Sequence, residues 1–171
     1  MIQKDKSIRG MAVAAAVLSG CNMLLNWLVV LFPRMIVPLF LHTELESYSF
    51  GAILPFLLIK ATLPVMLFII ALVNIKSDTF QEQRGIGTAV AIGVCWVLVT
   101  ILDSWLGNFC MTMCVNYGSD KIALCNIVNM VHSFSGFLGM IARFLLISIA
   151  SIEIYVTNKN LSETKQDYHN Y

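Results

Sequence analysis

Charge is scarce in this chain. Asp, Glu, Lys and Arg make up 12% of its 171 residues, against 58% hydrophobic residues and a mean hydropathy of +0.78. A soluble domain carries about 25% charged residues, so a water-facing globule of ordinary composition is excluded. The net charge is +1, which excludes nucleic-acid binding driven by bulk electrostatics.

Catalytic motifs are missing as well. There is no P-loop and no G-x-G-x-x-G; Gly85-Ile86-Gly87 carries two glycines of that pattern without the rest. H-E-x-x-H and C-x-x-C do not occur. Ser133 and Ser135 lie close to His132, but no acid joins them, so no serine nucleophile is assigned. His42 and His132 lack metal-ligand spacing with the cysteines. No catalytic residue, metal or cofactor is therefore expected. No internal repeat is evident, and this argues against an inverted-repeat transporter.

What is present is four long apolar stretches, Gly10 to Phe32, Phe50 to Ile75, Ile86 to Leu106 and Met130 to Val156. About 20 helical residues cross a hydrocarbon core about 30 Å thick. Each stretch meets that length. One domain over residues 1–171 is expected, with transmembrane helices at about 10–32, 50–75, 86–106 and 130–156. The first stretch follows Lys4, Lys6 and Arg9 as a signal peptide would. Its apolar run is too long for a signal core, so it is read as a retained helix.

Loop charges set the expected orientation. With the N-terminus inside, the inner segments hold Lys4, Lys6, Arg9, Lys76, Arg84, Lys159 and Lys165, and the outer loops only Arg34 and Lys121. By the positive-inside rule both termini are cytoplasmic. The fold class expected is all-α, an up-down bundle of four transmembrane helices in the plasma membrane. Residues 33–49 and 107–129 form its outer loops, 76–85 its inner loop, and 157–171 a disordered tail.

Polar and small residues recur at helical spacing on each stretch, and in lipid such faces turn toward protein. The first carries Ala15, Ser19, Asn22 and Asn26. The second carries Phe56, Lys60, Pro64 and Ala71. The third carries Gly85, Ala89, Gly93, Trp96, Thr100, Asp103 and Gly107. The fourth carries His132, Gly136, Gly139, Arg143 and Ala150. Plain helix packing accounts for the glycines and alanines.

The charges ask for more. Lys60 and Arg143 each lie about a dozen residues from either end of their spans, where a charge costs about 2.5–3.5 kcal/mol. Asp103 is expected about 6 Å below the outer end of its helix and Lys60 about 16 Å, close enough for an upward-reaching lysine to approach it. Asn22, Asn26, Lys60, Asp103, His132 and Arg143 are the candidate ligand-binding set. Together they describe an outward-facing cationic cleft for an anionic group. The competing reading is an internal network that only fixes helix register.

Cys21 and Cys95 lie within spans and read as small packing residues. Cys110, Cys114 and Cys125 fall in the second outer loop and are disulfide candidates. Three functional classes follow. The first is an accessory or regulatory membrane subunit acting by association with a membrane-protein partner or further copies of itself. The second is an oligomeric transporter or channel using the cationic site. The third is a membrane thiol oxidoreductase. All three have the lipid bilayer as a partner.

Overall fold

The computed structural model describes the backbone of residues 5–31, 47–117 and 119–169. Side chains are described within these ranges except at 47–57, 109–129 and 163–169 and at Val29, Val30, Lys60, Asp103, Leu106, Val131 and His132. Four helices account for nearly all of it: α1 (Lys6–Leu31), α2 (Ser47–Lys76), α3 (Glu82–Tyr117) and α4 (Ser119–His169). Three contain windows long and apolar enough to cross a membrane, Lys6–Leu28, Glu82–Leu102 and Ser133–Ser162. The part of α2 with described side chains supplies a shorter apolar segment, Ala61–Lys76.

Two helices run further than composition suggested. α3 and α4 extend through most of 107–129, expected as a loop, so that only Gly118 separates them. No glycine or proline lies between Asn108 and Tyr117 to stop α3. α4 likewise continues to His169, so 157–169 is helical where a disordered tail was expected. That stretch is polar, but it too lacks glycine and proline. Polarity was mistaken there for absence of helix.

α1 packs against α2 and α4, and α4 also packs against α3; α2 and α3 touch little although a short turn joins them. The α1–α2 pair is antiparallel. Gly20 faces Phe68 at one level, while Arg9 and Asp78 form an ion pair of 2.7 Å a dozen residues away. The α3–α4 pair is antiparallel too, with Gly85 against Ala150 and Glu153, and Trp96 against Arg143 and Phe144.

The core combines small residues with large aliphatic ones. Ala12, Ala15 and Ala16 of α1 meet Leu67 and Ala71 of α2, Ile92 and Cys95 of α3, and Leu146 and Ile149 of α4. Side chains that small let backbones come close, which strengthens dispersion contacts without a hydrophobic drive. Gly85 shows how close: a Cβ there would lie 3.0 Å from the Ala150 carbonyl oxygen.

The outward faces are apolar. Val13, Val17, Leu24 and Leu28 on α1, Ile69, Leu72 and Val73 on α2, Val90, Val97 and Ile101 on α3, and Phe134, Phe137 and Phe144 on α4 are all exposed. An apolar surface on every side is what a lipid solvent rewards and water does not.

Candidate functional site

α1 brings polar groups inward in the predicted register. Ser19 is fully buried and donates to the carbonyls of Ala15 at 2.6 Å and Ala16 at 3.3 Å. One turn on, Asn22 is buried, and the Asn26 amide nitrogen donates to both the Asn22 carbonyl at 2.8 Å and its side-chain oxygen at 2.7 Å. Local bonds of this kind let amides sit in an apolar interior without an orphaned acceptor.

α4 meets this face at Gly139. A Cβ there would fall 2.6 Å from the Asn22 amide nitrogen, nearer than any real contact. Glycine at 139 is therefore what admits Asn22. Four residues on, Arg143 is 7% exposed. Its Nε donates to the Gly139 carbonyl at 3.1 Å, and its guanidinium carbon lies 5.3 Å from the centre of the Trp96 ring. Phe144 meets the same indole edge-on, with ring centres 5.9 Å apart. The π face and the carbonyl both favour the cation and partly offset the loss of water around it.

Beside these groups lies a cavity between all four helices. It is lined by Asn22 and Asn26 from α1, Leu63, Pro64 and Leu67 from α2, Cys95 and Val99 from α3, and Ser135, Gly136, Gly139 and Arg143 from α4. The cavity volume is about 30 Å³, room for about two waters. Three of the six predicted ligand-binding residues, Asn22, Asn26 and Arg143, are thus brought together. The side chains of Lys60, Asp103 and His132 lie outside the described residues. Cys110, Cys114 and Cys125 also have undescribed side chains, but their backbones are helical: Cys110 and Cys114 lie within α3, and Cys125 within α4. Four residues apart on a helix, Cys110 and Cys114 are poorly placed to bridge each other.

The third helix presents a different face from the one expected. Among the described residues its buried positions are Gly85, Thr88, Ile92 and Cys95. Gly93, Trp96 and Thr100 are exposed and Ala89 is half-buried. Gly85 is buried as expected; from Thr88 onward the buried face lies one residue before the expected one, a rotation of about 100°. Thr100 explains part of the slip. Its hydroxyl donates to the Trp96 carbonyl at 2.9 Å, so it needs no protein partner and tolerates the outside. Ile92 and Cys95 are as buried as any glycine track would be, and periodicity in small residues did not distinguish them.

A second polar cluster closes the opposite end of the α3–α4 pair. Glu153 on α4 is fully buried and accepts from Arg84 Nη2 at 2.6 Å and Nε at 3.1 Å. The same guanidinium donates to the Ser77 hydroxyl and the Thr79 carbonyl in the turn between α2 and α3. Arg84 therefore ties that turn to α4. The spacing places Arg84 in the inner loop 76–85 and gives Glu153 no partner. The missed signal was simple: Glu153 is the one acid between Ser133 and Ser162, and Arg84 stands at the matching level of α3.

Comparison with protein-family models, with curated proteins and with solved structures returns no match. The function must therefore be argued from this geometry. Among the described residues, no group of three or more His, Cys, Asp or Glu side chains is placed to hold a metal ion.

Proposed function

We propose that this chain is an accessory or regulatory subunit of the plasma membrane that works by association. It is an up-down bundle of four transmembrane helices with both termini in the cytoplasm. The observation that carries the reading is the contrast between inside and outside. The described interior is taken up by alanine packing, local amide bonds and the Arg84–Glu153 pair, and its cavity suits about two waters. The outside is a broad apolar surface with small-residue gaps: a Cβ at Gly87 or Gly93 would meet nothing within 4 Å. Close helix–helix docking uses small residues in this way.

The test is purification of the native complex from its own membrane in mild detergent. A partner or further copy at fixed stoichiometry is expected. A chain that emerges alone and monomeric contradicts the reading. Orientation is checked separately by placing a cysteine at Asp78, in the short turn. Labelling from the cytoplasmic side alone is expected.

A second reading is favoured by one observation, the buried guanidinium of Arg143 on a cavity with Asn22 and Asn26. It makes the chain part of an oligomeric transporter or channel with an outward-facing cationic site for an anionic group. Flux of labelled anions into liposomes tests it: flux that Arg143→Gln abolishes supports it, and no flux removes it.

A further inference from the structure

Three of the four seams in this bundle are well packed and one is not. α1 lies against α2 and α4, and α4 lies against α3, whereas α2 and α3 touch little along their length. Each of α2 and α3 is therefore hung on one well-packed neighbour, like two leaves of a door. Between the leaves, Leu63 and Leu67 of α2 and Cys95 and Val99 of α3 line a common space rather than interlock. The chain joins them only through the turn at residues 77–81.

That turn is fastened from both flanks. Asp78 accepts from Arg9 of α1 at 2.7 Å. Arg84 of α3 donates to the Ser77 hydroxyl and the Thr79 carbonyl, and the same guanidinium reaches Glu153 of α4 at 2.6 Å. Ser77 in turn donates to the Thr79 carbonyl at 3.1 Å. One planar, rigid cation thus links the end of α2, the turn, the start of α3 and the side of α4. The two fastenings differ in exposure. Arg9 and Asp78 are 42% and 68% exposed, so their pair is open to salt, whereas Glu153 is fully buried. A turn held at so many points fixes the angle at which its two helices leave it.

We infer that the turn 77–81 is a clasp: the Arg9–Asp78 and Arg84–Glu153 pairs set the angle between α2 and α3, and the two helices part along their length when it is released. The device is conformational and rests on neither functional reading above. Its scale follows from helix geometry. Met66 lies about 18 Å along α2 from Asp78. A tilt of about 15°, within the usual scatter of helix crossing angles, moves it by about 5 Å.

The experiment uses the full chain in liposomes and reads distances between nitroxide pairs by pulsed dipolar spectroscopy. The labels are carried on encoded keto residues, so the five native cysteines stay untouched. Met66 with Leu98 reads the α2–α3 seam, and Leu24 with Phe137 reads the α1–α4 seam; all four positions are exposed. The triple variant Arg84→Met, Glu153→Leu, Asp78→Ala removes both fastenings and leaves apolar side chains at 84 and 153. Its Met66–Leu98 distribution should broaden and lengthen by about 5 Å, while its Leu24–Phe137 distribution stays as in the parent. The milder variant Ser77→Ala, Asp78→Ala alters the turn alone and should show a smaller shift of the same sign. An unchanged Met66–Leu98 distribution in the folded triple variant overturns the inference. Equal broadening of both pairs overturns it too, because that is general loosening. If the triple variant loses its helical circular dichroism, the turn variant decides alone: a shift confined to Met66–Leu98 upholds the clasp, and any other result overturns it.

Discussion

Removing the Glu153 carboxylate should be among the most damaging single changes available in this protein. Its side chain is fully buried, and that of Arg84 is 14% exposed. The two share contacts of 2.6 Å and 3.1 Å. In Glu153→Leu the guanidinium keeps only the Ser77 hydroxyl and the Thr79 carbonyl, and a buried charge loses its counter-ion. Breaking a buried pair from one side costs about 3–5 kcal/mol, about two to four orders of magnitude in the unfolding constant. The double variant Arg84→Met, Glu153→Leu removes both charges and restores an apolar seam. It should return to within about 1 kcal/mol of the parent, because apolar replacement of a whole buried pair is often neutral or better. Reversible unfolding in mixed micelles, followed by tryptophan fluorescence, measures all four corners of the cycle. The reasoning is refuted if Glu153→Leu costs less than about 1 kcal/mol, or if the double variant loses the sum of the two single losses.

The glycines give a sharper contrast of position. Gly139→Ala drives a methyl into the Asn22 amide and should cost about 1–3 kcal/mol, whereas Gly93→Ala meets nothing within 4 Å and should be neutral or stabilising by up to about 1 kcal/mol. Equal effects in the same unfolding assay would contradict the packing described. Arg9→Ala breaks an ion pair whose side chains are 42% and 68% exposed. It should change stability by less than about 1 kcal/mol, with that small effect shrinking further at high salt.

The inward register of part of α1 and α4 was readable from spacing, and the failures elsewhere have physical causes. Asn22, Asn26 and Arg143 were assigned inward-facing positions because a polar group in an apolar span has few other places to go, and the structure gathers them at one cavity. α3 was misread by one residue because glycine, alanine and threonine do not need burial. Thr100 satisfies itself on its own helix and Gly93 simply faces out. The residues that do fill the interior there, Ile92 and Cys95, look no different in sequence from those that face outward. The Arg84–Glu153 pair is not visible in hydropathy, because both charges stand near the ends of their spans rather than in the middle. A pair at the end of a span is a tertiary fact, set by the register of two antiparallel helices, and no pattern within one helix reports it. The lengths of α3 and α4 were underestimated for a related reason. Hydropathy marks where a helix is apolar, not where it ends: α3 runs on through Gly107 to Tyr117.

The central claim is that Arg143 faces a protein-lined interior while the opposite face of α4 is exposed to lipid. A nitroxide scan along α4 from Phe134 to Ile149 in liposomes tests it most directly, reading accessibility to oxygen, which concentrates in the bilayer. The account predicts high oxygen collision rates at Phe134, Phe137, Met140, Phe144 and Ser148, and low rates at Ser135, Gly139, Ala142, Leu146 and Ile149. The label at 143 itself should fall with the second group. High oxygen access at 139 and 143 with protection at 137 and 144, or a profile without helical period, would contradict it.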